Sequence, residues 1–287
     1  MERFIDVGGA RLRVVEAGRG PLVILLHGFP EFSFAWRHQL PVLAAAGFRV
    51  VAPDLRGYNL SDKPRGVRAY GIDRLLEDVD GLIGAYGTER ASVIGHDWGA
   101  MIAWVFAMTR PARVERVAAL NGMHPVAFRS AMGDLEHLRK TFYGVLFQIP
   151  VLPEIFLRMR NLHLLRRLYS GHMHPGGLPP EADMRTWAEA MRRPGALTGM
   201  LNYYRGGGVL MSYLKDAVRP VEVPSMLIWG ERDILGINIA LPTDEWAPAL
   251  EVVRMANAGH YPHSDLPEEV NAALLRFLRR KSEMIEK

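Results

Sequence analysis

Six short, mostly apolar runs, separated by longer stretches, constrain most strongly how this chain can fold. The first is Leu22–Leu26, and similar runs lie at 48–52, 91–94, 117–120, 226–229 and 251–255. A run that is apolar at successive positions suits a strand buried on both faces, as in a parallel sheet. Helical patterns lie between most of these runs, at 34–46, 72–86, 100–109 and 267–281. This alternation predicts an α/β fold with a doubly wound, mostly parallel sheet.

Two regions depart from the alternation. Residues 3–7 and 11–16 flank Gly-Gly-Ala and predict an antiparallel hairpin. Residues 125–218 show only helical patterns, punctuated by proline and glycine. An insertion of this kind indicates a cap above the carboxyl ends of the strands, where open α/β sheets bind ligands. We therefore predict a core domain of residues 1–124 and 219–287 and a helical cap, or lid, of residues 125–218.

The composition excludes several classes of function. The 287 residues contain no cysteine, so disulfides, thiolate catalysis and cysteine metal sites are absent. The 35 basic and 31 acidic residues give a formal net charge of +4 but no run of like charges that would bind nucleic acid. The apolar runs are too short to cross a bilayer, and the amino terminus lacks a secretory pattern. We expect a cytoplasmic monomer or homodimer that binds neither nucleic acid nor membrane.

The segment GHDWG, residues 95–99, follows an apolar run and precedes a helical pattern. In many hydrolases a strand-to-helix turn of the form G-x-S-x-G carries a serine nucleophile, and here Asp97 stands at that position. A carboxylate can displace a leaving group from saturated carbon and form an alkyl ester, whereas its attack on an ester would give an anhydride. Asp97 is therefore predicted to attack an epoxide or an alkyl halide. The alternative is that Asp97 only caps the helix.

Two later residues are candidates for the hydrolysis of that ester. Asp233 and His260 each follow one of the last two apolar runs, and so lie at the same edge of the predicted sheet as Asp97. His260 is predicted to take a proton from water, while Asp233 orients and stabilises the imidazole. The neighbouring Glu231 and His263 are the alternatives.

An attacked ester carbonyl becomes an oxyanion and needs fixed N–H donors. The predicted donors are the backbone N–H groups of Trp98, at the helix start, and of Phe29, after the first parallel strand. His27 is expected to shape that loop without acting in catalysis. The chain has neither an H-E-x-x-H spacing nor a cysteine set, so we predict no metal and no cofactor.

The segments HGFPEFSFAWRHQ, APDLRGYNLSDKP, GHDWGA, WGERD and AGHYPH together resemble the epoxide hydrolase branch of the α/β-hydrolase fold family. The resemblance covers nearly the whole chain. It implies that fold, and it implies the conversion of a small apolar epoxide and water to a vicinal diol through an ester on Asp97. In that family two cap tyrosines bind the epoxide oxygen and donate a proton, and the matching residues are Tyr143 and Tyr204. A phenol suits this step, although both tyrosines could instead pack the cap core.

Apolar residues near these positions suggest a tunnel for the substrate or, equally, an ordinary cap core. The predicted substrate-binding residues are Phe29, Trp98, Phe147 and Ile149, with Phe142, Val151 and Leu152 also considered. Two other functions stay open. A haloalkane dehalogenase would use the same nucleophile and base with N–H donors around the halide, and the Trp98 indole could be one. A non-catalytic, ligand-binding homologue would keep the fold without turnover.

Overall fold

The computed structural model describes residues 1–174 and 179–280. The strands β1–β8 of the described residues are, in chain order, Glu2–Val7, Ala10–Ala17, Leu22–Leu26, Arg49–Pro53, Ala91–His96, Val114–Leu120, Ser225–Gly230 and Leu250–Met255. They form one sheet in the order β1-β2-β4-β3-β5-β6-β7-β8. Strand β2 pairs antiparallel with β1 and β4, and the other neighbours pair parallel. The predicted doubly wound, mostly parallel sheet with an amino-terminal hairpin is confirmed.

The helices α1–α12 are, in chain order, Gln39–Ala45, Ile72–Ala85, Trp98–Thr109, Pro125–Ala131, Leu135–Lys140, Phe142–Leu146, Leu152–Gly171, Glu181–Arg192, Ala196–Arg205, Gly207–Ala217, Pro262–Asp265 and Pro267–Arg279. The helix predicted over 34–46 is shorter, because residues Ser33–Trp36 form a 3-10 turn and α1 begins only at Gln39. Pro41 has no N–H to donate and is tolerated only in the first turn, which fixes this start.

Strand β3 shows why the apolar runs are continuous. Leu22, Ile24 and Leu26 join one hydrophobic cluster, while Val23 and Leu25 join a second cluster. Successive side chains point to opposite faces of a sheet, so both faces of β3 are buried. Helices α2 and α3 pack on the first face, and α1 and α12 pack on the second.

Between β6 and β7 the described residues form helices and no strand. We call α4–α10, Pro125 to Ala217, the inserted helices. The backbone of α7 is non-helical from Met159 to Leu162, so this helix consists of two pieces. Two buried side chains bind the inserted helices to the core, since Trp187 Nε1 donates to the Pro30 carbonyl at 2.6 Å and the Tyr203 hydroxyl donates to the Arg56 carbonyl at 2.9 Å. The division into a core and a cap domain stays a prediction.

Candidate active site

Asp97 lies in the tight turn between β5 and α3. Its backbone has φ +51° and ψ −116°, a conformation that non-glycine residues seldom adopt. The flanking glycines are required by close approach, because a Cβ on Gly95 would lie 2.1 Å from the Gly99 carbonyl oxygen and a Cβ on Gly99 would lie 2.1 Å from the Leu26 carbonyl oxygen. The Asp97 carboxylate makes no capping bond to α3 in the described structure. Its Oδ1 instead accepts the Phe29 N–H at 2.8 Å.

His260 and Asp233 lie beside Asp97, as the sequence predicts. His260 Nε2 is 3.6 Å from Asp97 Oδ2, and His260 Nδ1 is 2.7 Å from Asp233 Oδ2. Asp233 is itself held by the side-chain amide of Asn121 at 2.7 Å and by the Leu235 N–H at 3.0 Å. The three predicted side chains therefore form a continuous chain from the carboxylate at the turn to a buried second carboxylate.

The alternatives to these two residues lie elsewhere. The Glu231 carboxylate is exposed and pairs with Arg254 at 3.4 Å. His263 is fully buried, and its Nε2 is 3.1 Å from Glu31 Oε1. Neither side chain is positioned to replace Asp233 or His260.

The charges of Asp97, His260 and Asp233 shift one another's pKa values. Burial lowers the pKa of His260, but the charges and hydrogen bonds of Asp233 and Asp97 outweigh burial and hold the pKa well above its usual value. Burial likewise raises the pKa of Asp97, yet its contacts with His260 leave the net pKa lowered. Asp233 is lowered in pKa for the same reason. These shifts favour an imidazolium between two carboxylates in the site without substrate.

Of the two predicted oxyanion donors, Phe29 contacts the Asp97 carboxylate and Trp98 directly follows Asp97 in the chain. Trp98 is the first residue of α3, so its N–H has no partner within the helix. The arrangement can stabilise negative charge on an oxygen of Asp97.

Tyr143 of α6 and Tyr204 of α9 face the same space as Asp97. Their ring centroids are 6.1 Å apart, and the Tyr204 ring is 5.2 Å from that of Trp98. Burial first, and the charge of Asp97 in addition, raise the pKa of Tyr143 well above its usual value, and burial with Tyr143 and Asp97 does the same for Tyr204. Both phenols therefore keep their protons and can donate hydrogen bonds to a ligand.

Two cavities of very different size meet at Asp97. The larger has a volume of about 420 Å³ and is lined by apolar side chains that include Met101, Met123 and Leu210. The smaller has a volume of about 40 Å³ and is lined by Phe29 and Tyr261, among others. Both cavities share five residues, which are Asp97, Tyr143, Tyr204, Leu235 and His260. The reactive groups lie where the cavities join.

The predicted substrate-binding residues are only partly brought together. Phe29 lines the smaller cavity and Trp98 the larger. Phe147 is buried behind them, with its ring 5.7 Å from Phe29 and 5.1 Å from Tyr204, and lines neither cavity. Ile149 is 42% exposed and also lines neither.

The idea of a tunnel formed by Phe142, Val151 and Leu152 needs correction, because these three side chains are exposed. Helix α6 turns Tyr143 and Gly144 toward the larger cavity and Phe142 outward. Neighbouring positions of a helix point in different directions, and the sequence does not say which face is inward.

Sequence reasoning missed a buried cluster directly behind His260. Glu31 Oε2 is 2.8 Å from His96 Nδ1, and His96 Nε2 is 2.8 Å from the backbone oxygen of His260. His263 binds the other oxygen of Glu31. Burial raises the pKa of Glu31, but His263 and His96 hold it well below its usual range. The sequence offers a weak signal for this cluster, because Glu31 and His96 are ionisable residues within largely apolar segments and His263 lies close to His260.

The atoms of Glu31, His96 and His263 all lie within 4.8 Å of one another, close enough to share a metal ion. However, the facing nitrogen and oxygen atoms already bind one another. The cluster therefore serves as a hydrogen-bonded support for the loop that carries His260, although the buried His263 Nδ1 has no hydrogen-bond partner among the described residues.

Known proteins share this architecture. Residues 21–267 match the model of the alpha/beta hydrolase fold family. The chain is 38% identical to the AB hydrolase superfamily protein YfhM of Bacillus subtilis, over 97% of this chain and 98% of that protein. It is 37% identical to epoxide hydrolase A of Mycobacterium tuberculosis, over 96% of this chain and 97% of that protein.

Solved structures agree with the sequence relatives. A crystal structure of a variant of the Bacillus megaterium epoxide hydrolase, complexed with its product (R)-3-[1]naphthyloxy-propane-1,2-diol, superimposes with a TM-score of 0.85 at 33% identity. The match covers 97% of this chain and 100% of that one. On the fold, the strand-to-helix turn with Asp97 and these relatives, the chain belongs to the epoxide hydrolase branch of the α/β-hydrolase fold family.

Proposed function

We propose that this enzyme converts an apolar epoxide and water to a vicinal diol through an alkyl ester on Asp97. The observation that carries the proposal is the meeting of a carboxylate, a histidine and two phenols at one point of an apolar cavity. Asp97, His260, Tyr143 and Tyr204 all line both cavities. The Bacillus megaterium relative, whose structure holds a diol product, supports the same substrate class.

In the first step Tyr143 and Tyr204 donate hydrogen bonds to the epoxide oxygen while an Asp97 oxygen attacks a ring carbon. The carbon–oxygen bond of the ring breaks, an ester bond forms, and a tyrosine proton moves to the leaving oxygen. The negative charge of Asp97 opposes loss of that proton, because it raises the pKa of both tyrosines. Alkylation removes this charge at the moment when the proton is needed.

In the second step His260 activates water, which attacks the ester carbonyl. Alkylation helps here too, since Asp97 is one of the groups that raise the pKa of His260. Once Asp97 is an ester, the imidazolium gives up its proton more readily, and this proton restores the tyrosine that was deprotonated in the first step. The neutral imidazole can then act as a base.

The N–H groups of Phe29 and Trp98 stabilise the oxyanion. Its collapse breaks the bond to the alkyl oxygen, which takes the proton that His260 removed from water and leaves as the diol. The acid formed on Asp97 then gives its proton to His260, which restores the carboxylate and the imidazolium.

A haloalkane dehalogenase is the second candidate, because the Trp98 side chain lines the larger cavity and its indole could bind a halide. Two phenols opposite the carboxylate favour the epoxide, since an alkoxide leaving group needs protonation and a halide does not. Incubation with styrene oxide and with 1-bromobutane separates the two, because one yields a diol and the other bromide. A non-catalytic homologue would yield neither.

The covalent route is tested by intact-protein mass spectrometry after addition of one equivalent of styrene oxide. His260→Ala should retain the first step and stall the second, so the protein gains the mass of one substrate on the peptide that contains Asp97. Asp97→Ala should gain nothing. If His260 instead directs water straight to the epoxide, the His260→Ala protein will carry no adduct, and the ester intermediate must be abandoned.

The inserted helices and the cofactor requirement also have a place in this mechanism. Residues 125–218 would act as the cap that supplies the two tyrosines and encloses the substrate. The cycle uses only protein groups and water, so it requires no metal and no cofactor. A cytoplasmic location and a monomeric or homodimeric state stay predictions.

A further inference from the structure

Two successive segments of the inserted helices carry apolar side chains on their outer faces. In and just after α6 these are Phe142, Val145, Leu146 and Ile149, and in the first half of α7 they are Leu152, Ile155, Phe156 and Met159. The spacing i, i+3, i+4, i+7 recurs in both sets, and on a helix it marks one face. Ile149 lies three residues after the end of α6, and Met159 lies where the helical backbone of α7 is interrupted. We call these eight residues the apolar face. Each is between 42% and 55% exposed, although this pattern normally faces a protein core.

Exposed apolar side chains are concentrated in this part of the molecule. Of the twenty large apolar residues that are exposed in the described chain, twelve lie between Met132 and Leu164. Scattered single residues of this kind need no explanation, but a contiguous set marks an interaction surface.

The apolar face is fixed from behind by Arg205 of α9. The Arg205 guanidinium donates to the carbonyls of Phe147 at 3.0 Å and Ile149 at 2.9 Å. It also binds both oxygens of Glu154 at 2.7 and 2.9 Å. These bonds tie the end of the first set and the start of the second to the same helix, so the two sets are held together on the outside of the protein.

The charge of the chain is distributed unevenly, and its excess lies in the same region. Residues 125–174 contain seven basic and three acidic residues, a net charge of +4, while the remaining 28 basic and 28 acidic residues cancel. Arg158 and Arg160 are exposed and lie next to Met159 of the apolar face. An apolar helical surface accompanied by cations is the arrangement that binds at the interface of an anionic bilayer.

The larger cavity lies beneath the α6 part of this surface. Val145 belongs to the apolar face and also lines the cavity, and Met132 is likewise both exposed and cavity-lining. An apolar compound that dissolves in a bilayer would therefore meet the cavity wall at the surface that faces the lipid.

We propose that the apolar face docks onto the surface of an anionic lipid bilayer, with the larger cavity next to the lipid. None of the described helices is long and apolar enough to cross a membrane, so the association is superficial. This proposal revises the expectation that the protein binds no membrane. A second copy of the chain is a poorer occupant, because a two-fold interface would place the same cation-rich region against itself.

The test is co-sedimentation of the full chain with vesicles of phosphatidylglycerol and of phosphatidylcholine. We expect binding to the anionic vesicles that weakens as sodium chloride is added, because salt screens the charge attraction. Phe156→Asp should lower the partition coefficient by about tenfold, the scale of exposing a buried aromatic side chain. Val42→Asp is the matched control, since Val42 lies on core helix α1, is 36% exposed and takes up the same charge.

Ile155→Asp provides a second variant of the apolar face in case Phe156→Asp does not fold. Equal binding of these variants, the control and the wild type would overturn the proposal, and so would equal binding to both lipids. Sedimentation velocity tests whether a second copy of the chain, and not a bilayer, covers the apolar face. A wild-type dimer that Phe156→Asp converts to a monomer, with no vesicle binding by either protein, would show that the apolar face binds a second copy.

One further measurement rests on the proposed function as well. With a long-chain epoxide dissolved in phosphatidylglycerol vesicles, Phe156→Asp should turn over at least about fivefold more slowly than Val42→Asp. With styrene oxide in water the two variants should be equal. Inactivity of both proteins on both epoxides would contradict the proposed function, while vesicle binding would still decide the docking proposal.

Discussion

The carboxylate side of the site and its tyrosine side are built in different ways. Asp97 lies in a tight backbone turn that admits only glycine at residues 95 and 99, and its carboxylate binds the Phe29 N–H. Tyr143 and Tyr204 project from α6 and α9, and α6 has exposed apolar residues next to the tyrosine. The proposed nucleophile is thus fixed by the sheet, whereas the proposed acid and the cavity wall depend on side chains of the inserted helices. Catalytic geometry and substrate choice can change separately.

The largest effect should come from the sheet side. Asp97→Asn keeps the side-chain shape and tolerates the positive φ, but it removes the nucleophile. We expect a loss of about 10⁴-fold or more in kcat/KM for styrene oxide in a protein that still folds. Retention of a few per cent of the activity would show that water attacks the epoxide directly and that the reaction does not pass through an ester on residue 97.

The next effect concerns the support of the base. Asp233→Asn should slow ester hydrolysis by about 10³-fold in single-turnover assays, since the amide no longer orients and stabilises the imidazolium. Asp233 raises the pKa of His260, so its loss lowers that pKa. Hydrolysis requires neutral His260 and falls at acid pH, and the acid limb of its profile should therefore move to lower pH in the variant. Glu231→Gln is the control, and a profile displaced to higher pH would contradict the assigned role.

Substitution of the two tyrosines should have smaller effects, and these should fall on alkylation and not on ester hydrolysis. Tyr143→Phe and Tyr204→Phe should each slow alkylation by about tenfold or more, and the double variant should nearly abolish it. Hydrolysis of an ester already formed should not change. Tyr203→Phe is a close control, because its hydroxyl binds the Arg56 carbonyl and lines neither described cavity. Equal alkylation rates in the wild type and Tyr204→Phe would remove Tyr204 from the mechanism.

The smallest effect should come from weakening the contact between the inserted helices and the core that carries the sheet. Trp187→Phe removes the indole N–H that binds the Pro30 carbonyl, and should lower the free energy of unfolding by about 1–3 kcal/mol. We expect a single urea transition, because the inserted helices share one hydrophobic cluster with the sheet. A separate early transition, displaced alone by Trp187→Phe, would show that the inserted helices unfold independently and would sharpen the division into two domains.

The sheet and the turn that carries Asp97 could be predicted from the sequence because the patterns that indicate them are local. The continuous run Leu22–Leu26 predicts a doubly buried strand, and the glycines around Asp97 predict the turn. Glu31 was missed because its partners His96 and His263 are 65 and 232 positions away. Ile149 was placed in the site although it lies outside, since an apolar stripe indicates a helix face without saying what that face contacts.

The unequal cavities on either side of Asp97 have a consequence for handedness. The smaller, of about 40 Å³, has space for only a few water molecules, so we expect the substituent of a terminal epoxide to occupy the larger one of about 420 Å³. The two phenols fix the epoxide oxygen, and the larger cavity fixes the substituent on one side of Asp97. The two enantiomers of the epoxide therefore present different ring carbons to the Asp97 carboxylate. We expect a racemic epoxide to be consumed unequally, leaving one enantiomer in excess on a chiral column.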